Sequence, residues 1–249
     1  MTSKKTNWFE SWFDTTLYHT LYKNRNEKEA KQFIENLFRF FNPDKNAKVL
    51  DLACGKGRHA ITINALGFDV TGLDLSTNSI QYAKKKTSNS LRFDVHDMRK
   101  VYNPAIKFDI ILNLFTSFGY FDNESEDISV LKAVHTQLTD EGFFLLDYLN
   151  VFYAEKNLVQ LEKKDIDGTL FSIERKVFDG FIRKKITAQT KNSRQTFEEQ
   201  VKYLTVDDFK KYFHDAGLNL IHIFGNYFLE EYNKENSPRL IMVCKKGLN

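Results

Sequence analysis

The residues best placed to do chemistry lie in one short stretch, Val49-Leu50-Asp51-Leu52-Ala53-Cys54-Gly55-Lys56-Gly57-Arg58-His59-Ala60. An apolar run ends there in closely spaced glycines and resumes at helical spacing through Ile61, Ile63 and Leu66. The pattern reads as strand, turn and helix, and Gly55 and Gly57 carry no Cβ to keep a ligand from the backbone. As a bare pattern, Gly55-x-Gly57-x-x-Ala60 also satisfies the dinucleotide fingerprint, so nicotinamide or flavin binding stays open. Three carboxylates weigh on that choice. Asp51 lies inside the first strand just before the turn, where it can accept hydrogen bonds from a cationic amino group and has no obvious use beside a pyrophosphate. Asp74 ends the second strand about 20 residues beyond the turn, where an acidic residue chelates ribose hydroxyls for either kind of cofactor. Asp97 follows the third strand, where it can accept from an exocyclic adenine amine while Met98 packs on the ring. Three such carboxylates suit a nucleoside that carries a cation better than a diphosphate.

The elements that must position these groups alternate. Phe68 to Leu73, Leu91 to Val95, Phe108 to Leu114 and Gly142 to Leu149 read as further strands; Ser76 is the expected N-cap of a helix through Ile80 and Ala83, and Ile128 to Leu138 is an amphipathic helix. Such alternation requires parallel strands in a doubly wound, Rossmann-like α/β sheet. Apolar residues from Trp8 to Phe41 recur at helical spacing, which predicts one or two helices before the sheet, stopped at Pro43. After Asn150, short alternating runs at Thr169 to Ile173, Arg175 to Phe178, Phe181 to Thr187 and Thr196 to Tyr203 predict an antiparallel excursion. A helix over Val206 to Phe213, closed by Gly217, precedes strands at Leu218 to Phe224 and Leu240 to Cys244, which can rejoin the main sheet as an edge hairpin.

With these elements in place the chain resembles the class I S-adenosylmethionine (SAM)-dependent methyltransferases, and among them a bacterial group acting on small molecules. The resemblance rests on VLDLACGKGRHA at Val49 to Ala60, VTGLDLS at Val70 to Ser76, HDM at His96 to Met98 and FDIILNLFTSFGYF at Phe108 to Phe121. It implies a seven-stranded, mostly parallel sheet with one antiparallel strand, plus a small antiparallel β insertion. By that likeness Gly55 and Gly57 line the amino-acid side of SAM, Asp74 holds the ribose, Asp97 and Met98 hold the adenine, and Ala53, Leu75, Asn113 and Leu114 are further expected cofactor-binding positions. Ala53 departs from the family pattern, since many members have a glycine there. The likeness further implies a helical lid over residues 1–43, a cofactor-binding core over 44–150, an antiparallel insertion or cap over 151–204, and a C-terminal helix and strands over 205–249 that complete the sheet. On the lid, His19, Tyr22 and Arg25 share one helical stripe; Tyr22 and Arg25 are expected near the cofactor carboxylate and His19 near the methyl acceptor.

Acceptor recognition is expected after the fourth strand, because ligands of open α/β sheets bind outside the strands' carboxyl ends. Phe115, Phe118, Tyr120 and Phe121 stand there, either framing the acceptor or facing the sulfonium, with core packing an equal claim on the phenylalanines. Tyr120 ranks first because its hydroxyl needs a partner. The segment lacks the Asn-Pro-Pro-aromatic cluster of exocyclic-amine methylation, and Asn113 stands where a magnesium-dependent reaction needs an acid, so a metal-free reaction at N or O of a small molecule is expected, with S-adenosylhomocysteine (SAH) as product.

A net charge of +3 advertises no track for nucleic acid. Cys54 and Cys244 have no metal-ligand spacing, Met1 to Phe13 has no signal-peptide core, and no apolar stretch is long enough for a bilayer, so a cytoplasmic monomer or homodimer without membrane contact is expected. The competing readings are an NAD(P)-dependent oxidoreductase, a SAM-binding module without turnover, and an RNA methyltransferase.

Overall fold

The computed structural model describes residues 8–23 and 27–247. Two short helices, α1 (Trp8–Trp12) and α2 (Thr16–Leu21), come first. They are followed by α3 (Glu27–Phe41), β1 (Lys48–Leu52), α4 (Arg58–Ala65), β2 (Asp69–Asp74), α5 (Thr77–Ala83), β3 (Leu91–Val95), β4 (Phe108–Asn113), α6 (Glu124–Gln137), β5 (Leu138–Leu149) and α7 (Val151–Lys156). Then come β6 (Leu161–Ile166), β7 (Thr169–Phe178), β8 (Phe181–Gln189), β9 (Arg194–Lys202), α8 (Val206–Asp215), β10 (Leu218–Phe224) and β11 (Arg239–Lys246). They form two compact units, Asn26–Tyr153 with Leu204–Asn249, and Met1–Arg25 with Ala154–Tyr203.

In the larger unit seven strands lie in the order β10-β11-β5-β4-β1-β2-β3. The five from β1 to β5 are parallel, and β11 runs antiparallel to both β5 and β10. This is the mixed sheet the sequence implied, with the last two strands rejoining it and β10 taking the edge. Val49, Leu50 and Leu52 are all buried, as a strand covered by helices on both faces demands. α3 contributes the stripe Ala30, Phe33, Ile34, Leu37 and Phe38 to that core, where each large apolar side chain is worth roughly 1.5–3 kcal/mol. Local chemistry sets the helix ends. Ser76 caps α5 by accepting from the Ser79 N–H, and Thr205 and Asp208 form a reciprocal capping box on α8. Strand order reverses between β1 and β4, so the crevice of this doubly wound sheet opens at their carboxyl ends; there the Asn113 amide donates to the Leu52 carbonyl at 3.1 Å.

The smaller unit is a four-stranded antiparallel sheet, β6-β7-β8-β9, packed with α1 and α2. The two runs read at Thr169 to Ile173 and Arg175 to Phe178 are one strand, because Glu174 continues the ladder opposite Leu161 and Lys185. β6 gave no apolar alternation to read, since it is a largely exposed edge strand. Trp12, Leu21, Phe171, Ile173 and Ile186 form the core. Phe171 is therefore interior, whereas Phe178 is exposed.

The N-terminal stretch differs from the sequence reading in two ways. Its described residues form three helices, because Thr15 interrupts the run and caps α2 with its hydroxyl, 3.1 Å from the Tyr18 nitrogen. It also divides between the units: α1 and α2 go with the antiparallel sheet, and α3 goes with the main core, so the compact units do not part at residue 43. No described helix is long and apolar enough to cross a membrane.

Candidate functional site

Between β1 and α4 the chain turns through Ala53, Gly55 and Gly57, all at positive φ (63°, 56° and 81°). The two glycines do different work. A Cβ on Gly55 would meet nothing within 4 Å, so that backbone borders open space. A Cβ on Gly57 would stand 2.6 Å from the Phe93 ring, so Gly57 makes room for a core aromatic of β3. Of the two, Gly55 has the open space that a ligand approaching the backbone needs, and Gly57 is also required by the packing of Phe93.

Each carboxylate already has backbone to hold. Asp51 is buried, and its Oδ2 accepts from the Ala60 N–H at 3.1 Å. It thereby serves the first turn of α4, whose N-cap is Gly57 and lacks a side chain to do so. Burial, reinforced by the charge of Asp74, pushes the Asp51 carboxyl up to about 7, against the opposing Ala60 bond and Arg58 charge. Asp74 accepts from the Gly55 N–H at 2.7 Å and the Ser76 N–H at 2.8 Å, tying the glycine turn to the start of α5. Leu75 beside it is partly exposed. Asp97 is gripped by Arg99, whose backbone N–H and Nε reach Oδ1 and whose Nε and Nη2 reach Oδ2 at 2.7–3.1 Å. Burial alone would raise the Asp97 pKa, but these bonds and the Arg99 charge hold it below the usual carboxylate value. Arg99 also binds Glu126 at 2.6 Å and lies over the Phe121 ring. Met98 follows half-buried.

Asn113 is fully buried at the end of β4; its amide nitrogen is engaged, and its Oδ1 has no partner among the described residues. A buried acceptor without a donor costs free energy on the order of 1–3 kcal/mol, which a ligand donor at this position would recover. Leu114 packs in the main core. Of the aromatics that follow, Phe118 and Phe121 are buried and Phe115 is 38% exposed. The Tyr120 hydroxyl donates to the Thr116 carbonyl, so the unmet partner that singled Tyr120 out is supplied within the turn.

His19 and Tyr22 lie in the smaller unit. α2 ends at Leu21 and Tyr22 occupies its C-cap, with its N–H still donating to the Tyr18 carbonyl at 3.1 Å. The Tyr22 hydroxyl is 2.8 Å from Glu199 Oε1 and accepts from Lys184 at 3.0 Å, and Trp12 Nε1 donates to the same Glu199 at 2.7 Å. His19 packs edge-on against Tyr18. Arg25 lies outside the described residues.

The model of a methyltransferase domain family matches residues 43–217. The chain belongs to that family. A glycine/sarcosine N-methyltransferase of Aphanothece halophytica is 26% identical over 95% of this chain and 87% of its own length. YqeM of Bacillus subtilis (strain 168) is 35% identical over 44% of this chain, which spans 45% of that protein. Among solved structures, a SAM-dependent methyltransferase from Clostridium acetobutylicum ATCC 824 superposes with a TM-score of 0.78 at 23% identity, covering 93% of this chain and 97% of that one. The CcbJ methyltransferase from Streptomyces caelestis gives 0.78 at 14% identity over 96% and 99%. At these identities the likeness is one of fold.

The methyltransferase fold also brings Phe115 together with residues that sequence reading missed. A cavity beside the crevice is lined by Glu29 and Phe33 of α3, Arg58 and His59 of α4, Phe115, Asp147 of β5, and Tyr227. The available signal was a carboxylate inside the apolar run Phe143 to Leu149: buried, Asp147 had to have partners. They are Arg239 and Tyr227, 92 and 80 residues away in the chain.

Proposed function

We propose that this chain binds SAM in the crevice between β1 and β4 and transfers its methyl group, without a metal, to nitrogen or oxygen of a small molecule. The observation that carries the reading is the set of unspent polar capacity around an open turn: a buried Asp51 carboxylate with one oxygen accepting from Ala60, the open space at Gly55, and the unpartnered Asn113 Oδ1. A nucleoside with an ammonium group fits this set. A pyrophosphate would put like charge against Asp51 and Asp74.

In this reading Asp51 accepts from the cofactor ammonium, Asp74 from the ribose hydroxyls, and Asp97 with Met98 borders the adenine. Arg99 already fills the acceptor positions of Asp97, so the adenine amine has to share that carboxylate with it. The sulfonium supplies an already activated methyl group, and the protein's part is alignment and exclusion of water. Nitrogen is the favoured acceptor atom, supported by the glycine/sarcosine N-methyltransferase relative and by structural neighbours described as an amino pentose methyltransferase and a sugar N-methyltransferase.

Isothermal titration with SAH and with NADH tests the cofactor: SAH binds and NADH does not. Radiolabelled methyl transfer from SAM to a panel of glycine, sarcosine and aminosugars tests the acceptor class. Tight binding of NADH with none of SAH would replace this reading with the oxidoreductase one.

A further inference from the structure

The turn after β4 is built in a way its sequence does not favour. Phe115 and Thr116 both sit at positive φ, 60° and 59°, a conformation that bulky and β-branched residues rarely adopt even singly. Strain of this kind persists only where the surroundings over-determine it, and it clusters at functional positions.

The surroundings are those of Asp147. Its Oδ2 accepts from the Phe115 N–H at 2.8 Å and its backbone carbonyl from the Thr116 N–H at 2.9 Å, so one residue holds both left-handed peptides. Oδ2 also accepts from the Tyr227 hydroxyl at 3.2 Å, and Oδ1 pairs with Arg239 through Nε at 2.8 Å and Nη2 at 2.6 Å. Arg239 Nη2 then donates to Thr116 Oγ1 at 2.9 Å, closing the ring of contacts on the turn. What the turn presents is the Phe115 ring, the most exposed of the three phenylalanines in the segment. The Arg58 guanidinium, one residue beyond Gly57, lies 5.2 Å from its centroid. Phe115 thus stands where the glycine turn, the end of β4 and the cavity meet.

We propose that Asp147 is a positioning residue for methyl transfer: braced by Arg239 and Tyr227, it forces Phe115 and Thr116 into consecutive left-handed conformations and so fixes the Phe115 ring at the point where the methyl group changes hands. The proposal rests on the SAM reading above. If the purpose were fold stability alone, glycines in place of Phe115 and Thr116 would adopt these conformations without the steric cost of a Cβ; the chain keeps a bulky ring there and a clamp that holds it.

The test compares SAH with sinefungin, a probe that carries a charged amine in place of the sulfonium methyl and so reports on that point alone. Isothermal titration is run on the wild type and on Asp147→Asn, Phe115→Leu, Thr116→Gly and the Asp147→Asn/Thr116→Gly double variant. SAH affinity is expected to stay within about twofold in all of them, since the Asp51 side of the crevice is untouched. Relative to SAH, sinefungin is expected to weaken about fivefold or more in Asp147→Asn and in Phe115→Leu. Thr116→Gly is expected to restore at least half of that loss, on a logarithmic scale, in the Asp147→Asn background. An unchanged sinefungin-to-SAH ratio in Phe115→Leu overturns the proposal, and this exposed-side variant remains informative if Asp147→Asn does not fold. Loss of both ligands in parallel with melting temperature also overturns it, by making the clamp merely structural. Failure of wild-type protein to bind SAH is a separate outcome, and it defeats the SAM reading itself.

Discussion

Replacing Asp51 by asparagine separates what the fold wants from what the proposed ligand wants. In the ligand-free protein, burial and the nearby Asp74 lift the Asp51 pKa from 3.8 to about 7. The folded chain therefore binds more protons than the unfolded chain between those values, and stability falls as pH rises through that window and levels off above it. At about 1.4 kcal/mol per unit, holding Asp51 ionised costs on the order of 4 kcal/mol at pH 8. The asparagine amide keeps an oxygen for the Ala60 N–H and carries no charge, so Asp51→Asn is expected to stabilise the ligand-free protein by roughly 2–4 kcal/mol, or about 5–10 °C in melting temperature.

Ligand binding should respond in the opposite direction. A cofactor ammonium selects ionised Asp51, whose fraction rises from about 0.1 at pH 6 to about 0.8 at pH 7.5, so wild-type SAH affinity should increase about eightfold over that range. In Asp51→Asn the pH dependence should flatten, and affinity at pH 7.5 should drop about 10- to 100-fold with the loss of a charge-assisted bond. Thermal melts of the ligand-free proteins and isothermal titration at pH 6, 7 and 7.5 give both quantities. An Asp51→Asn variant that melts lower than wild type, or that keeps the wild-type pH slope for SAH, would refute the reasoning.

The two glycines of the turn should separate in the same pair of assays. Gly57→Ala forces a Cβ into the Phe93 ring at positive φ and should cost about 2–4 kcal/mol of stability, whereas Gly55→Ala should cost about 1 kcal/mol and act mainly on SAH binding. In the smaller unit, Glu199→Ala leaves Lys184, Trp12 and Tyr22 without their common acceptor and should destabilise by roughly 3–5 kcal/mol in urea melts. Although burial opposes it, the pairing with Lys184 holds Glu199 below its ordinary pKa of 4.5. Its stabilising contribution is therefore complete above that value and lost as pH falls below it, so the difference between wild type and Glu199→Ala should shrink in melts run from pH 6 down to pH 3.

The sheet was legible because its signals are local: apolar runs bounded by Gly55, Ser76 and Gly217 announce strands, turns and caps without reference to distant residues. β6 was not, since an exposed edge strand need not alternate. The N-terminal stretch misled for a related reason. Helical spacing from Trp8 to Phe41 is real, yet periodicity does not say which core a helix serves, and Trp12 and Phe33 bury themselves in different units. The site was legible in type and partly hidden in role. Asp51, Asp74 and Asn113 stand at the carboxyl ends of their strands, but that Asp51 serves α4, that Asp97 is occupied by Arg99, and that Gly57 serves Phe93 all depend on groups outside those strands. Arg239 could not be assigned to Asp147 from spacing at all, because the pairing exists only once β11 lies beside β5.

The most direct test is a crystal structure of the protein grown with SAH. The account expects the nucleoside in the crevice between β1 and β4, with its ammonium group on Asp51, its ribose on Asp74, its adenine beside Met98, and a donor reaching Asn113 Oδ1. SAH bound elsewhere, or a crevice that stays empty at saturating ligand with Asp51 still shielded, would contradict it.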